Sequence, residues 1–406
     1  MRIPGKKLSL IILIIALLAV LAIITVPLST RFIHAARSGL QALSTSAPPA
    51  NTSPNTPQPG EAAGPLISGN VPAFASSAAY PATNANDSSY DTAWRSTGAP
   101  AWLAYDLSKI PANRRNQVLL VWYNETGNYD HTLIGYPAYN MPQNYTIEVN
   151  AAPGGGQAPT TGWVVKATIQ GNHFHSRQHV IAMAGANWIR INVTSVAGSV
   201  ENEDVELNMD VYDASTALAD DWIFFGDSIT AGAMDHQTLN GVASFAQLIN
   251  ARLPHDYPVQ EGGGTGYLTS ADGVKNLPTW LALFPGKYVG LSYGTNDALG
   301  CVNPATFYQN YVTMVQDVLH AGKIPLVPTI PWGRHPAIQR CAPALNAQIS
   351  KLYGAFPQII HGPNLWSFFQ SHQNLISNDT IHPTDEGFGA YRQQWASTVL
   401  AVVYKA

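Results

Sequence analysis

Four large apolar residues, Trp222 to Phe225, run straight into Gly226-Asp227-Ser228. The apolar run reads as a buried strand that the glycine ends. Ser228 then stands at the rim of a sheet, either as the cap of a following helix or as a nucleophile. Far along the chain, Asp379 and His382 are three positions apart. A tight turn can bring that carboxylate to one imidazole nitrogen and leave the other free to face a serine hydroxyl. A serine hydroxyl is a weak nucleophile until a neighbouring base removes its proton. Pro383 restricts His382 to extended backbone angles, which stiffens the turn. A tetrahedral intermediate would need hydrogen-bond donors. Ser228 at a helix start offers an unpaired N–H and the positive end of a dipole. The glycines of 262–266 let backbone approach a substrate, and Asn296 can donate an amide hydrogen without adding charge. Singly, each residue has a plainer reading: Ser228 caps a helix, Asn296 holds a turn, His382 is a satisfied core histidine. Asp227 and Asp297 read as turn or cap carboxylates, and Asp235 with His236 as surface loop.

The elements that must position these residues show in the rhythm of the chain. From Asp220 onward apolar runs alternate with helical patterns: "WIFFG" then "SFAQLINARL", "KYVGLSYGTND" then "ATFYQNYVTMVQDVLHAG", "IPLVPTIP" then "APALNAQISKLYGAF". In one of these helices Phe307, Tyr311, Met314, Val315 and Val318 fall at three- and four-residue spacing, which makes one buried face. Buried strands alternating with amphipathic helices give a parallel sheet covered on both sides, with its sites beyond the carboxyl ends of the strands. Ser228 sits at such an end.

"GDSIT", "EGGGTGYL", "GTND" and "NDTIHPTDEG" occur in that order, each in the loop expected of it. Together they resemble the four signature blocks of SGNH hydrolases, also called GDSL-type esterases, over roughly Asp220 to Tyr404. The resemblance implies an α/β fold, a doubly wound, flavodoxin-like parallel sheet, and a serine hydrolase acting on carboxylic esters without a cofactor. It makes Ser228 the nucleophile, His382 the general base and Asp379 the residue that orients the histidine. It forms the oxyanion hole from the Ser228 N–H, the Gly264 N–H and the Asn296 amide. The glycine block departs from the usual pattern, since the upstream Asn is absent and Gly262, Gly263 and Gly266 compete with Gly264.

From Leu66 to about Ser215 the period is two. In "VELNMDVYDA" Val205, Leu207, Met209 and Val211 are apolar, with Glu206, Asn208 and Asp210 between them. Strands with one wet face, broken by turns such as "APGGGQAP", predict an antiparallel sandwich. Within it "DTAWRSTGAPAWLAYDLS" resembles a stretch of discoidin-like, galactose-binding-like jelly rolls, carried by Trp94, Trp102 and Asp106-Leu107. That resemblance implies a carbohydrate-binding module. The alternative is that Trp94, Trp102 and Trp122 are core residues. "HFHSRQH" puts His173 and His175 on one strand face with His179 nearby. An exposed polar face is preferred there over a metal site, and no metal is expected.

Charged residues make up only 11% of the 406 and the formal net charge is -4, which argues against a nucleic-acid partner. Leu8 to Leu28 is almost continuously apolar behind Arg2, Lys6 and Lys7, and long enough to cross a bilayer. It predicts an N-terminal membrane anchor at 1–37, or a signal segment. The Pro/Ser/Thr-rich stretch that follows, 38–65, reads as a spacer. The sandwich is then expected at 66–216 and the hydrolase domain at 217–406. Cys301 and Cys341, the two cysteines, are expected to pair in an exported chain. The whole predicts an esterase held at the cell membrane with its catalytic domain outside, or else secreted, that removes acyl groups, O-acetyl foremost, from a glycan. A lipase or thioesterase on the same scaffold and a noncatalytic surface-binding protein are the competing expectations.

Overall fold

The period-two segments form nine strands among the described residues, which in the computed structural model are 65–406 except 125–127, 134–138, 198–202, 219 and 235–241. They are β1 (Ala73–Ala75), β2 (Trp94–Arg95), β3 (Ala101–Asp106), β4 (Gln117–Tyr123), β5 (Met141–Asn150), β6 (Val164–Ile169), β7 (Ser176–Ala182), β8 (Trp188–Ala197) and β9 (Glu206–Asp213). One antiparallel sheet has the order β1-β3-β8-β5-β6 and the other β2-β9-β4-β7. Their inner faces make one core: Leu103, Tyr105, Ile147, Ile189 and Ile191 meet Val118, Leu120, Trp122, Leu207 and Met209. Alternate residues of a strand point to opposite faces, so each strand sends every second side chain inward.

The outer face of the second sheet is largely covered, with Val180 of β7 left exposed. Leu119, Val121, Tyr123 and Tyr212 on its outer side pack with Val259 of the α/β lobe, and the polar Asn208 and Asp210 of β9 are buried there too. That explains why "VLLVWY" in β4, from Val118 to Tyr123, is apolar without alternation: both of its faces are covered. The expectation of one solvated face fails for this sheet because its partner is another lobe. The described residues belong to one compact unit.

The α/β lobe has five parallel strands, β10 (Asp221–Gly226), β11 (Val259–Gly264), β12 (Tyr288–Ser292), β13 (Ile324–Val327) and β14 (Ile360–His361), in the order β11-β10-β12-β13-β14. Counted from its own first strand this is 2-1-3-4-5, the flavodoxin-like order, whose crevice opens where the order reverses. Here that is the space beyond Gly226 of β10 and Ser292 of β12. The helices of the lobe are α1 (Ser228–Met234), α2 (Phe245–Asn250), α3 (Ser270–Leu283), α4 (Thr295–Leu299), α5 (Pro304–His320), α6 (Pro336–Ala355), α7 (Leu365–Ser371) and α8 (Asp385–Val399). β10 feeds both layers. Ile223 and Phe225 pack with Trp280 of α3 and the predicted face of α5, while Trp222 and Phe224 pack with Phe245 of α2 and Trp395 of α8. A strand buried on both faces is why the opening run is uniformly apolar.

The membrane-anchored architecture is corrected. Among the described residues no helix is long and apolar enough to cross a membrane. Leu8–Leu28, on which the anchor rested, and the spacer up to residue 64 lie outside the described residues. The fold is an antiparallel two-sheet sandwich joined to a parallel α/β lobe; the membrane helix, the narrower jelly-roll label and the placement at the cell membrane are withdrawn.

Candidate active site

Ser228 opens α1 at the end of β10, where the strand's hydrogen bonding stops and the helix has not yet begun to use its N–H groups. The preceding Asp227 is buried and accepts the Ile229 N–H at 3.0 Å, an Asx turn that fixes the bend. Burial raises the Asp227 carboxyl to about 6, against the opposing pull of its bonds to Ile229 and Thr295 and of His382. Asp227 is thus the turn carboxylate that the sequence suggests.

Ser228 Oγ lies 2.7 Å from His382 Nε2, and His382 Nδ1 lies 2.6 Å from Asp379 Oδ2. The other carboxylate oxygen of Asp379 accepts from Ser377 Oγ at 2.7 Å, Ile381 N–H at 2.8 Å and His382 N–H at 2.9 Å. Burial works to raise the Asp379 pKa, but the bonds from Ile381, His382 and Ser377 outweigh it and hold the carboxyl at about 2. An ionised carboxylate only accepts hydrogen bonds, so the proton must be on His382 Nδ1. Nε2 is left as an acceptor for the Ser228 hydroxyl. The turn carrying the pair is braced from the loop before α6. Arg334 donates to the carbonyls of Ile376 and Ser377, and the His335 N–H to that of Thr380.

Asn296 lies on α4, entered through Gly294 at φ 137, where a side chain would meet Ile330 at 2.5 Å. Its Nδ2 donates to the Leu268 carbonyl at 2.9 Å, which commits one amide hydrogen and leaves the second. Asp297 accepts both the N–H (2.9 Å) and the hydroxyl (2.5 Å) of Ser270, tying the start of α3 to α4. Gly264 ends β11. Its carbonyl accepts the Tyr129 N–H at 2.9 Å, and a Cβ at Gly264 would collide with the backbone of Ala231 in α1. The close approach of strand to helix therefore demands glycine there whatever else the residue does. Gly266 lies in the turn beyond the strand, and its N–H donates to Asn128 Oδ1 at 2.8 Å.

Other expectations resolve by burial. Cys301 and Cys341 form a disulfide that links the end of the Asn296 loop to α6. Trp94 and Trp122 are wholly buried core residues, whereas Trp102 is half-buried on the outer face of its sheet. The exposed polar face expected of the histidine run is corrected: His175 is buried and bonded to Asn124, His179 contacts the Tyr145 hydroxyl at 3.0 Å, and His173 pairs with Asp130 at 2.9 Å. Burial lowers both His175 and His179 to about 3, so both are neutral. Asp235 and His236 lie outside the described residues. Sequence reasoning missed Asn128, Tyr129 and Asp130, sandwich residues that touch the loop after β11. "TGNYDH" carries no periodicity or spacing to mark it.

Among solved structures, a Bacillus subtilis protein is 15% identical, with 80% of this chain and 87% of that one covered and a TM-score of 0.42. A lipolytic protein of the G-D-S-L family from Veillonella parvula is 17% identical, covering 46% of this chain and 99% of its own at a TM-score of 0.37. A lipase/acylhydrolase from Enterococcus faecalis is 20% identical, covering 44% and 94% at 0.37. No curated protein matches the chain. The model of the GDSL-like Lipase/Acylhydrolase family matches residues 224–390, the stretch that holds Ser228, Asn296, Asp379 and His382. That part of the chain belongs to the GDSL-like lipase/acylhydrolase family, whose members are serine hydrolases acting on carboxylic esters.

Proposed function

We propose that the protein is a serine esterase that removes short acyl groups, O-acetyl foremost, from a carbohydrate, with Ser228, His382 and Asp379 as its catalytic residues. The observation that carries the reading is the continuous hydrogen-bond line from Ser228 Oγ through the His382 ring to Asp379 Oδ2, at 2.7 and 2.6 Å. Ser228 Oγ attacks the ester carbonyl carbon as its proton passes to His382 Nε2. The carbonyl electron pair moves onto oxygen, where the Ser228 N–H and the free Asn296 amide hydrogen meet it, with the Gly264 N–H as proposed third donor. Collapse breaks the bond to the alcohol, which leaves with the proton from His382 and gives an acyl-Ser228. A water then gives its proton to His382 and attacks the acyl carbon, releasing the acid and restoring the serine. Asp379 stays ionised throughout and stabilises the imidazolium that forms twice in the cycle.

Two features support a sugar substrate. Tyr267 follows Gly266 in the loop beside Asn296 and keeps 72% of its surface exposed, a ring offered to whatever approaches. Trp102 and Trp163 flank Arg190 on the outer face of the sandwich, with the guanidinium 5.8 and 4.1 Å from their rings. Flat apolar rings beside hydrogen-bonding groups suit the faces and hydroxyls of sugars. The test is hydrolysis of p-nitrophenyl esters from acetate to palmitate, beside acetylated and deacetylated polysaccharides. Acetate release from the polysaccharide and a preference for acetyl over long chains are expected. Equal or better turnover of long chains would move the assignment to a lipase or thioesterase.

A further inference from the structure

β11 is the edge strand of the parallel sheet, and its outer side is not left open. Three consecutive sandwich residues dock on its last residue and the two that follow. The Tyr129 N–H donates to the Gly264 carbonyl at 2.9 Å, the Asp130 N–H to Thr265 Oγ1 at 3.3 Å, and Asn128 Oδ1 accepts the Gly266 N–H at 2.8 Å. The docked segment cannot slide. The Tyr129 ring is buried in the catalytic lobe, 5.9 Å from Phe225 and 5.8 Å from Trp280. Asp130 Oδ2 accepts the Trp280 indole N–H at 3.3 Å, and Asp130 Oδ1 faces His173 at 2.9 Å.

Beyond Gly266 the chain passes through Tyr267 at φ 66, a backbone conformation disfavoured for any residue with a side chain. Such a conformation persists only where its surroundings hold it. One residue later the Leu268 carbonyl takes a hydrogen of the Asn296 amide. The turn is therefore held at both ends: by Asn128 on the sandwich side and by Asn296 on the catalytic side.

We propose that Asn128 is a positioning residue for ester hydrolysis: by holding the Gly266 N–H it fixes the turn whose Leu268 carbonyl aims the Asn296 amide. The inference rests on the reading of Asn296 as an oxyanion donor. It makes the sandwich a working part of the catalytic site. An amide that donates to one fixed carbonyl has its second hydrogen fixed as well, since both lie in the amide plane. If the turn relaxes, the Leu268 carbonyl moves and that direction is lost, after the ground-state substrate has already bound. The loss should fall on kcat and leave KM nearly alone, and displacements on the scale of 1 Å are enough for large effects.

The test uses the full chain and p-nitrophenyl acetate, with kcat and KM measured separately, thermal stability followed, and Ser228 labelled by a fluorophosphonate. Asn128→Ala and Asn128→Leu remove the acceptor and should lower kcat about tenfold or more with KM changed less than about twofold. Asn128→Asp keeps an oxygen in place and should recover most of kcat. Two truncations are made so that the answer does not hang on one of them folding. Wild-type kcat in either folded truncation overturns the inference. So does a loss in Asn128→Asp equal to that in the truncations, since the acceptor would then not matter. The parent reading fails separately: a wild-type chain that neither hydrolyses the ester nor takes the label is not an esterase.

Discussion

Ser228 Oγ and His382 Nε2 lie 2.7 Å apart although 154 positions of chain separate them. The contact joins the first strand–helix turn of the α/β lobe to the loop before its last long helix, α8. Both loops leave the same end of the lobe, and the brace from Arg334 and His335 holds the histidine side of the pair. Ser228→Ala removes only the oxygen of this contact from the start of a short helix. Ester hydrolysis should fall by at least about 10⁴-fold, with the melting temperature nearly unchanged. Turnover of p-nitrophenyl acetate within tenfold of wild type in that variant would remove Ser228 from the mechanism.

Asp379→Asn keeps the shape of the turn and changes its polarity. Asparagine presents an N–H where the carboxylate presented an acceptor, which favours the wrong imidazole tautomer and removes the negative charge facing the imidazolium. A fall in kcat of roughly 10³–10⁴-fold is expected, with KM little affected. The folded-state pKa of Asp379, about 2, lies below the ordinary 3.8. By linkage its stabilising contribution is present above pH 3.8 and is lost as pH falls toward 2. Steady-state kinetics on the asparagine variant, with circular dichroism to verify the fold, is the check.

The interface between the lobes carries carboxyls of the opposite behaviour. Glu261 of β11 is buried against β7, where Ser176 Oγ donates to it at 2.6 Å. Burial raises its pKa from 4.5 to about 7, the bond from Ser176 and the charge of Arg177 offsetting only part. Asp210, buried beside Tyr90, Tyr123 and Tyr212, is likewise raised to about 7. The folded state then binds these protons more tightly than the unfolded chain, so stability falls as pH rises between about 4.5 and 7. A shift of this size on Glu261 is on the order of 3 kcal/mol. Glu261→Gln keeps an acceptor for Ser176 without a charge. Melting curves from pH 4 to 9 should show the variant near wild type at the acid end and several degrees more stable at pH 8. A parallel pair of curves would show that Glu261 carries no such penalty.

Cys301 and Cys341 close a loop with a sequence separation of 40. A cross-link over that length restricts the unfolded chain by about 4 kcal/mol in the chain-entropy account. The bridge lies just beyond Asn296, so its loss should also loosen α4. The Cys301→Ala/Cys341→Ala double variant should unfold at lower denaturant concentration by a corresponding amount and retain part of its activity. An unchanged midpoint would mean that the bridge contributes nothing to stability.

Residues 217–406 expressed alone should not make a working enzyme. Removing the sandwich takes Tyr129 from its place against Phe225 and Trp280, uncovers Val259 and bares the edge of β11. An exposed apolar patch beside an open strand edge favours association. Size-exclusion chromatography should find the fragment aggregated or the esterase activity lost. A monomeric fragment with full kcat would show that the lobes are independent.

The division between what sequence and tertiary structure decide follows the range of the forces involved. The alternation of strands and helices, the buried face of α5 and the turn from Asp379 to His382 were legible because each depends on neighbours within a few positions, where side-chain period and backbone restriction act directly. The end of β10 was legible for the same reason, since a strand buried on both faces must be apolar throughout. Which surfaces of the sandwich face water was decided only in three dimensions. Asn208 and Asp210 alternate as solvent-facing residues do, yet both are buried. Trp94, Trp102 and Trp122 look alike in the chain and differ in burial. Asn128, Tyr129 and Asp130 act on a turn about 135 positions away, and no local period marks a contact made by docking one sheet edge against a distant loop. Periodicity reports which side of an element is apolar; what covers that side depends on the packing of the whole chain.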